Sequence, residues 1–155
     1  MRASPAIEQL TTGLDTLADT DVVGLDDEAL REQLLALTTV ANRVHAELVR
    51  RVDVFDRRGL AEADGFRTVK AWLQGFGRLP AVVAHRLVKA GRLLRRLPKL
   101  ADVVQSGEVA PEHVQQVARL ADQVSVERVA EVEATLAEAA RVLDLPRFAT
   151  VCERV

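Results

Sequence analysis

The sequence predicts an all-α fold, and three observations carry the prediction. Ala, Leu, Val, Glu and Arg outnumber Gly, Thr and aromatic residues, which favours helix. Apolar residues recur at three- and four-residue steps through long stretches. Prolines and glycines stand at the edges of many of these stretches, where helices open and close. The expectation is about seven or eight helices: one long N-terminal helix with helical hairpins, one of them helix-turn-helix-like, along it. At 155 residues the chain can bury roughly 70% of its unfolded surface. It is read as a single helical domain, residues 1–155, forming the N-terminal part of a longer protein.

In order, Ile7, Leu10, Leu14 and Leu17 after Pro5 mark a short amphipathic helix ending near Asp19. Asp26, Asp27 and Glu28 then place negative charge where a helix N-terminus is electropositive, and the run continues without Gly or Pro to Gly59. About 31 residues at 1.5 Å each would span roughly 47 Å. Along this helix Leu30, Leu34, Leu37, Ala41, Val44 and Leu48 form a coiled-coil-like seam, with Val52 and Phe55 continuing the face. The seam packs against the protein's own shorter helices or joins two copies into a homodimer, and periodicity leaves both open.

The stretch LAEADGF reads as a connector with an Asp64-Gly65 turn. Thr68 is expected to cap a helix whose Val69, Trp72, Leu73 and Phe76 pack into a core. Pro80 opens the next helix, which reaches about Leu97 before Pro98. Gly107 stops a short helix, Pro111 opens another, Ser125 caps a longer one with Val126, Val129, Leu136 and Leu143 inward, and Pro146 begins the last. A weak 30-residue similarity aligns Gly77 with Gly107 and Leu87 with Val117, suggesting two similar hairpins.

Net charge is −2, but residues 65–101 hold nine basic residues and no acidic one, leaving 12 basic against 23 acidic elsewhere. At 100° per residue, His85, Lys89, Arg92, Arg96 and, loosely, Lys99 share one face of the helix after Pro80. Val83, Leu87, Ala90, Leu94 and Leu97 gather opposite, as a core face. Such a basic face can replace counterions on double-stranded DNA, where four or five phosphate contacts give a salt slope of roughly −4. Lys89, Arg92 and Arg96 are the principal phosphate candidates, with Arg86, Arg95 and Lys99 peripheral. The competing reading is a solvated face, or one meeting acidic partners. Base readout is disfavoured, because Pro80, Ala81, Val82 and Val83 open the helix with nothing to address base edges.

No catalytic constellation emerges. His45, His85 and His113 are not spaced as metal ligands, Glu112-His113 reads as capping and surface, and Asn42 with His45 is a weak nuclease pair. Cys152 has no second thiol and reads as a small core residue. Gly75-x-Gly77 lacks the third glycine of a dinucleotide loop. No cofactor, metal or small-molecule ligand is expected, and this chain alone is expected not to be an enzyme. No apolar run approaches the roughly 20 residues of a membrane span. A cytoplasmic location away from membranes is the expectation.

Residues 60–121 carry Gly65, then Trp72-Leu73, spaced Ala84 and Ala90, Leu97-Pro98, and Gly107. In that order and spacing they resemble the actinobacterial 13E12-repeat family, whose N-terminal helical region is catalogued as domain of unknown function 222. Many members carry an HNH-type endonuclease domain after this region, so the resemblance implies a whole protein acting on DNA with a divalent metal. An HNH site needs a His base, metal-binding His or Asp residues and an orienting Asn. The sole Asn here is Asn42, far from any His-rich hairpin. The HNH nuclease domain is thus expected to be absent from residues 1–155, and the resemblance implies a non-catalytic helical module, either DNA-associating or a dimerisation and interaction scaffold built on residues 27–58.

Overall fold

Proline can occupy the first turn of a helix because no amide hydrogen is needed there. Pro5, Pro98, Pro111 and Pro146 all sit in that turn. The computed structural model describes residues 4–155 and shows ten α-helices and no strand among them. They are α1 (Pro5–Ala18), α2 (Asp27–Arg57), α3 (Leu60–Ala63), α4 (Val69–Gly75), α5 (Ala81–Arg96), α6 (Pro98–Ser106), α7 (Pro111–Gln123), α8 (Val126–Glu131), α9 (Glu133–Val142) and α10 (Leu145–Glu153).

Ten rather than seven or eight helices arise at two places. The expected connector folds into the one-turn α3, entered through Gly59 at φ +65° and closed by the Phe66 amide donating to the Ala61 carbonyl. The helix expected to run on from Ser125 is broken at Val132, whose amide bonds back to Val129 in a tightened turn. The predicted caps are present. Thr68 accepts from the Ala71 amide and Ser125 from the Arg128 amide, while Asp144 accepts from Arg147 and so opens α10 one residue before Pro146.

The chain divides into two compact units, Met1–Leu37 and Thr38–Val155, and α2 is continuous through the division. In the first unit α1 buries none of its residues, and Ile7, Leu10, Leu14 and Leu17 are exposed. The second unit holds the core. There α5 packs against α4, α6, α7 and α8, while α10 packs on α7 and α9. Phe148, Leu87, Leu97, Leu100, Leu136, Val109, Val117 and Val129 are fully buried between these helices.

Small residues let α2 pass close to its neighbours in this unit. A Cβ on Gly91 of α5 would stand 3.1 Å from the Cβ of Asp53. Gly107, at φ +85° after α6, faces the Thr39 carbonyl so closely that a Cβ would meet it at 2.8 Å. The Asn42 amide donates to the Gly107 carbonyl at 3.1 Å, so Asn42 secures this crossing.

Three residues lie elsewhere than expected. Val83 is exposed, because the face α5 turns inward is formed by Ala84, Leu87, Ala90, Gly91 and Leu93. Phe76 is exposed at the end of an aromatic row, edge-on to Trp72 and Phe66, while Trp72 packs on Phe55 and donates its indole N–H to Asp64. His113 is buried rather than on the surface: its ring lies 5.2 Å from Phe148, and Nε2 is 3.0 Å from the Leu143 carbonyl. Among the described residues no helix is long and apolar enough to cross a membrane.

Candidate interaction surfaces

Two surfaces follow from the sequence, and the structure treats them differently. On α5 the basic residues meet carboxylates from other helices. Arg92 Nε donates to Asp56 of α2 at 3.0 Å, and Arg95 reaches Asp53 of α2 at 2.5 Å. Arg96 reaches Glu127 of α8 at 2.6 Å, and the Lys89 ammonium pairs with Asp122 of α7. Four of the six phosphate candidates are therefore ion-paired, whereas Arg86 and Lys99 have no ion pair among the described residues.

Local electrostatics agree with that pairing. The hydrogen bond that Arg95 donates to Asp53 pushes the guanidinium pKa up, and the bond that Arg96 donates to Glu127 holds that carboxyl below its ordinary range. Along α2, Glu47 is also held low, first by its bond from Arg51; burial opposes this, and smaller contributions from Gln105 and Arg50 lower it further. Exposed pairs of this type contribute little to stability. They would yield to a strongly attracting partner, but the face they leave is not a bare cationic stripe.

The second surface is the seam of α2. In the first unit Leu30, Leu34 and Leu37 are exposed, and in the second Val44 and Leu48 are exposed, all between 40% and 64%. Farther along, Val52 is buried and Phe55 stacks on Trp72 at 4.5 Å between ring centroids. Within the second unit the protein's own helices thus cover Val52 and Phe55 and leave Val44 and Leu48 exposed. The residues α2 does bury are Ala46, Val49 and Val52. Ala46 and Val49 point about 100° or more around the helix from Val44 and Leu48, so beside those two the core takes a face the seam does not occupy, and of the seam only Val52 joins the buried set.

Sequence reading could not find two functional features. Glu133, at the start of α9, is buried and accepts from the Lys99 and Leu100 amides at 2.5 and 3.1 Å, capping α6 from a distant helix. His45 of α2 stands beside α5 and α7 in a cavity shared with His85 and Arg119. Nothing in local spacing marks either one. Cys152 is buried, and burial pushes its thiol pKa up. Among the described residues no cluster of three or more His, Cys, Asp or Glu is arranged to hold a metal ion.

No curated protein and no solved structure matches the chain closely enough to carry a comparison. The model of one family, described as Domain of unknown function (DUF222), matches residues 9–155. The chain belongs to that family.

Proposed function

We propose that the chain is a non-catalytic helical module that associates with a second copy of itself through the seam of α2. The observation that carries this reading is the exposure of Leu30, Leu37, Val44 and Leu48 on a helix whose buried Ala46 and Val49 lie on another face. Leu30, Leu37 and Val44 are spaced by seven, as are Leu34, Ala41 and Leu48, the two interleaved repeats of a heptad seam. The ten residues Gln33 to Asn42 include no charge. Exposed apolar patches of this kind mark interaction surfaces.

A second copy is the occupant the pattern favours. A 3.5-residue repeat fits another helix of the same repeat, and a two-fold pair lets one seam serve both sides. The experiment is light-scattering mass across concentration for the native chain and for Leu37→Glu with Val44→Glu. The native chain should show twice the monomer mass, and the variant the monomer mass with unchanged helical circular dichroism. A native chain that remains monomeric at high concentration would sink the reading.

Double-stranded DNA is the second reading. Its support is the acid-free run of residues 65–101 together with Arg86 and Lys99, which have no ion pair among the described residues. In a longer protein with a nuclease domain of the HNH type, such contacts would position the substrate. Fluorescence anisotropy of a labelled duplex against salt tests it.

A further inference from the structure

Helices α5 and α7 pack side by side, and His45 of α2 reaches the same space. Between them lies an open cavity of about 140 Å³, room for several waters. His45, His85, Arg86, Lys89, Gln115 and Arg119 supply every polar side chain of its lining, and no carboxylate belongs to it. Lys89 has a partner in Asp122, but Arg86 and Arg119 have no ion pair among the described residues. Cations gathered around one small space repel each other unless an anion joins them.

We propose that this cavity is a binding site for a phosphate-type oxyanion, held principally by Arg86 and Arg119. Each guanidinium offers two parallel N–H donors that match two oxygens of a tetrahedral oxyanion. The Gln115 amide and the His45 imidazole add neutral donors. Burial holds the His45 pKa below its ordinary value, against the raising effect of Glu112, so at neutral pH the imidazole is uncharged and still has one N–H to donate. Two guanidiniums and an ammonium exceed what a single carboxylate neutralises, and they suit the dianion of a phosphate monoester. A free phosphomonoester and the singly charged backbone phosphate of nucleic acid share the tetrahedral oxyanion that the guanidiniums match. The site does not depend on self-association.

The test is a nuclear magnetic resonance titration of the full chain at constant ionic strength, following the His45 and His85 imidazoles and the Arg86 and Arg119 side chains. Three probes are compared: inorganic phosphate, a nucleoside monophosphate, and a short duplex without terminal phosphates. Saturable shifts of these side chains are expected, with affinity falling about tenfold in Arg86→Gln and in Arg119→Gln. Arg86→Lys, which keeps the charge and loses the fork, should fall between native and Arg86→Gln. Both arginines are exposed, so dispersed amide spectra in the variants are expected and show that the fold is kept. Saturation by the monophosphates alone identifies a free phosphoester, and saturation by the duplex alone a backbone phosphate. Shifts that never saturate with any probe, or that are unchanged in the variants, would overturn the site. The oligomer mass of the same samples reports on self-association separately.

Discussion

Glu133 shows how a single side chain can hold two helices in register. Pro98 opens α6 without an amide hydrogen, and the next two amides, of Lys99 and Leu100, would be orphaned inside the protein. The Glu133 carboxylate accepts both, and the break at Val132 places it there at the first position of α9. Glu133→Ala leaves two donors without an acceptor in a buried place, and should cost about 2–4 kcal/mol. Glu133→Gln, which keeps one acceptor oxygen, should cost less. Urea denaturation of the two variants checks the order. Reading the sequence could not reach this cap, because donor and acceptor lie more than thirty residues apart.

His45 makes a second residue-scale prediction. Its folded pKa lies below the ordinary 6.5, chiefly because of burial. The unfolded chain therefore binds a proton at a higher pH than the folded one, and stability falls as pH drops through about 6.5 toward the folded value. Glu47, also shifted down, contributes stability lost only at lower pH, below the ordinary carboxyl value of 4.5. The two windows separate in a melting-temperature profile. His45→Gln should flatten the part near neutrality and leave the acid limb in place.

At the scale of elements, legibility tracked local chemistry. The ends of α1 and α2, and the caps Thr68 and Ser125, were readable because a helix terminus is decided by residues within one turn of it. What escaped was set by distant neighbours. Residues 126–142 carry a helical pattern throughout, yet the helix breaks, and at that break Glu133 meets α6. The expected inward face of α5 failed at Val83 for the same reason, since the helices packed on it select Ala84 and Gly91. The seam of α2 was legible as a period, but its covering was not. Periodicity shows that a face wants a partner, and only the fold shows that Val52 and Phe55 have one while Leu30, Leu37, Val44 and Leu48 are exposed. Val44 and Leu48 differ from Ala46 and Val49 in burial, not in kind. Charging Leu37 and Val44 should therefore abolish pairing while sparing the fold, whereas Val49→Glu should unfold the second unit.

At the scale of the whole molecule, the basic block and the acidic body that looked separate in sequence meet in the folded chain. Asp53 and Asp56 of α2, Asp122 of α7 and Glu127 of α8 carry negative charge to α5. This distinguishes the two functional readings by the sign of their response to salt. An apolar seam is not screened, so a dimer should keep its mass when salt rises from about 50 to about 200 mM, and sulfate should strengthen it. DNA affinity must fall over the same range, by a slope of about 0.9 for each phosphate neutralised. If only Arg86 and Lys99 make contact, the slope is about −2, and if the four paired candidates also exchange their carboxylates for phosphates it is about −5. Measuring mass and duplex affinity on one salt series thus asks both questions together. A mass that collapses with salt would mean that charges, and not the seam, join the copies. A steep DNA slope would mean that the ion pairs on α5 open to meet the duplex, and a duplex that never binds would leave the basic helix as a brace across α2, α7 and α8.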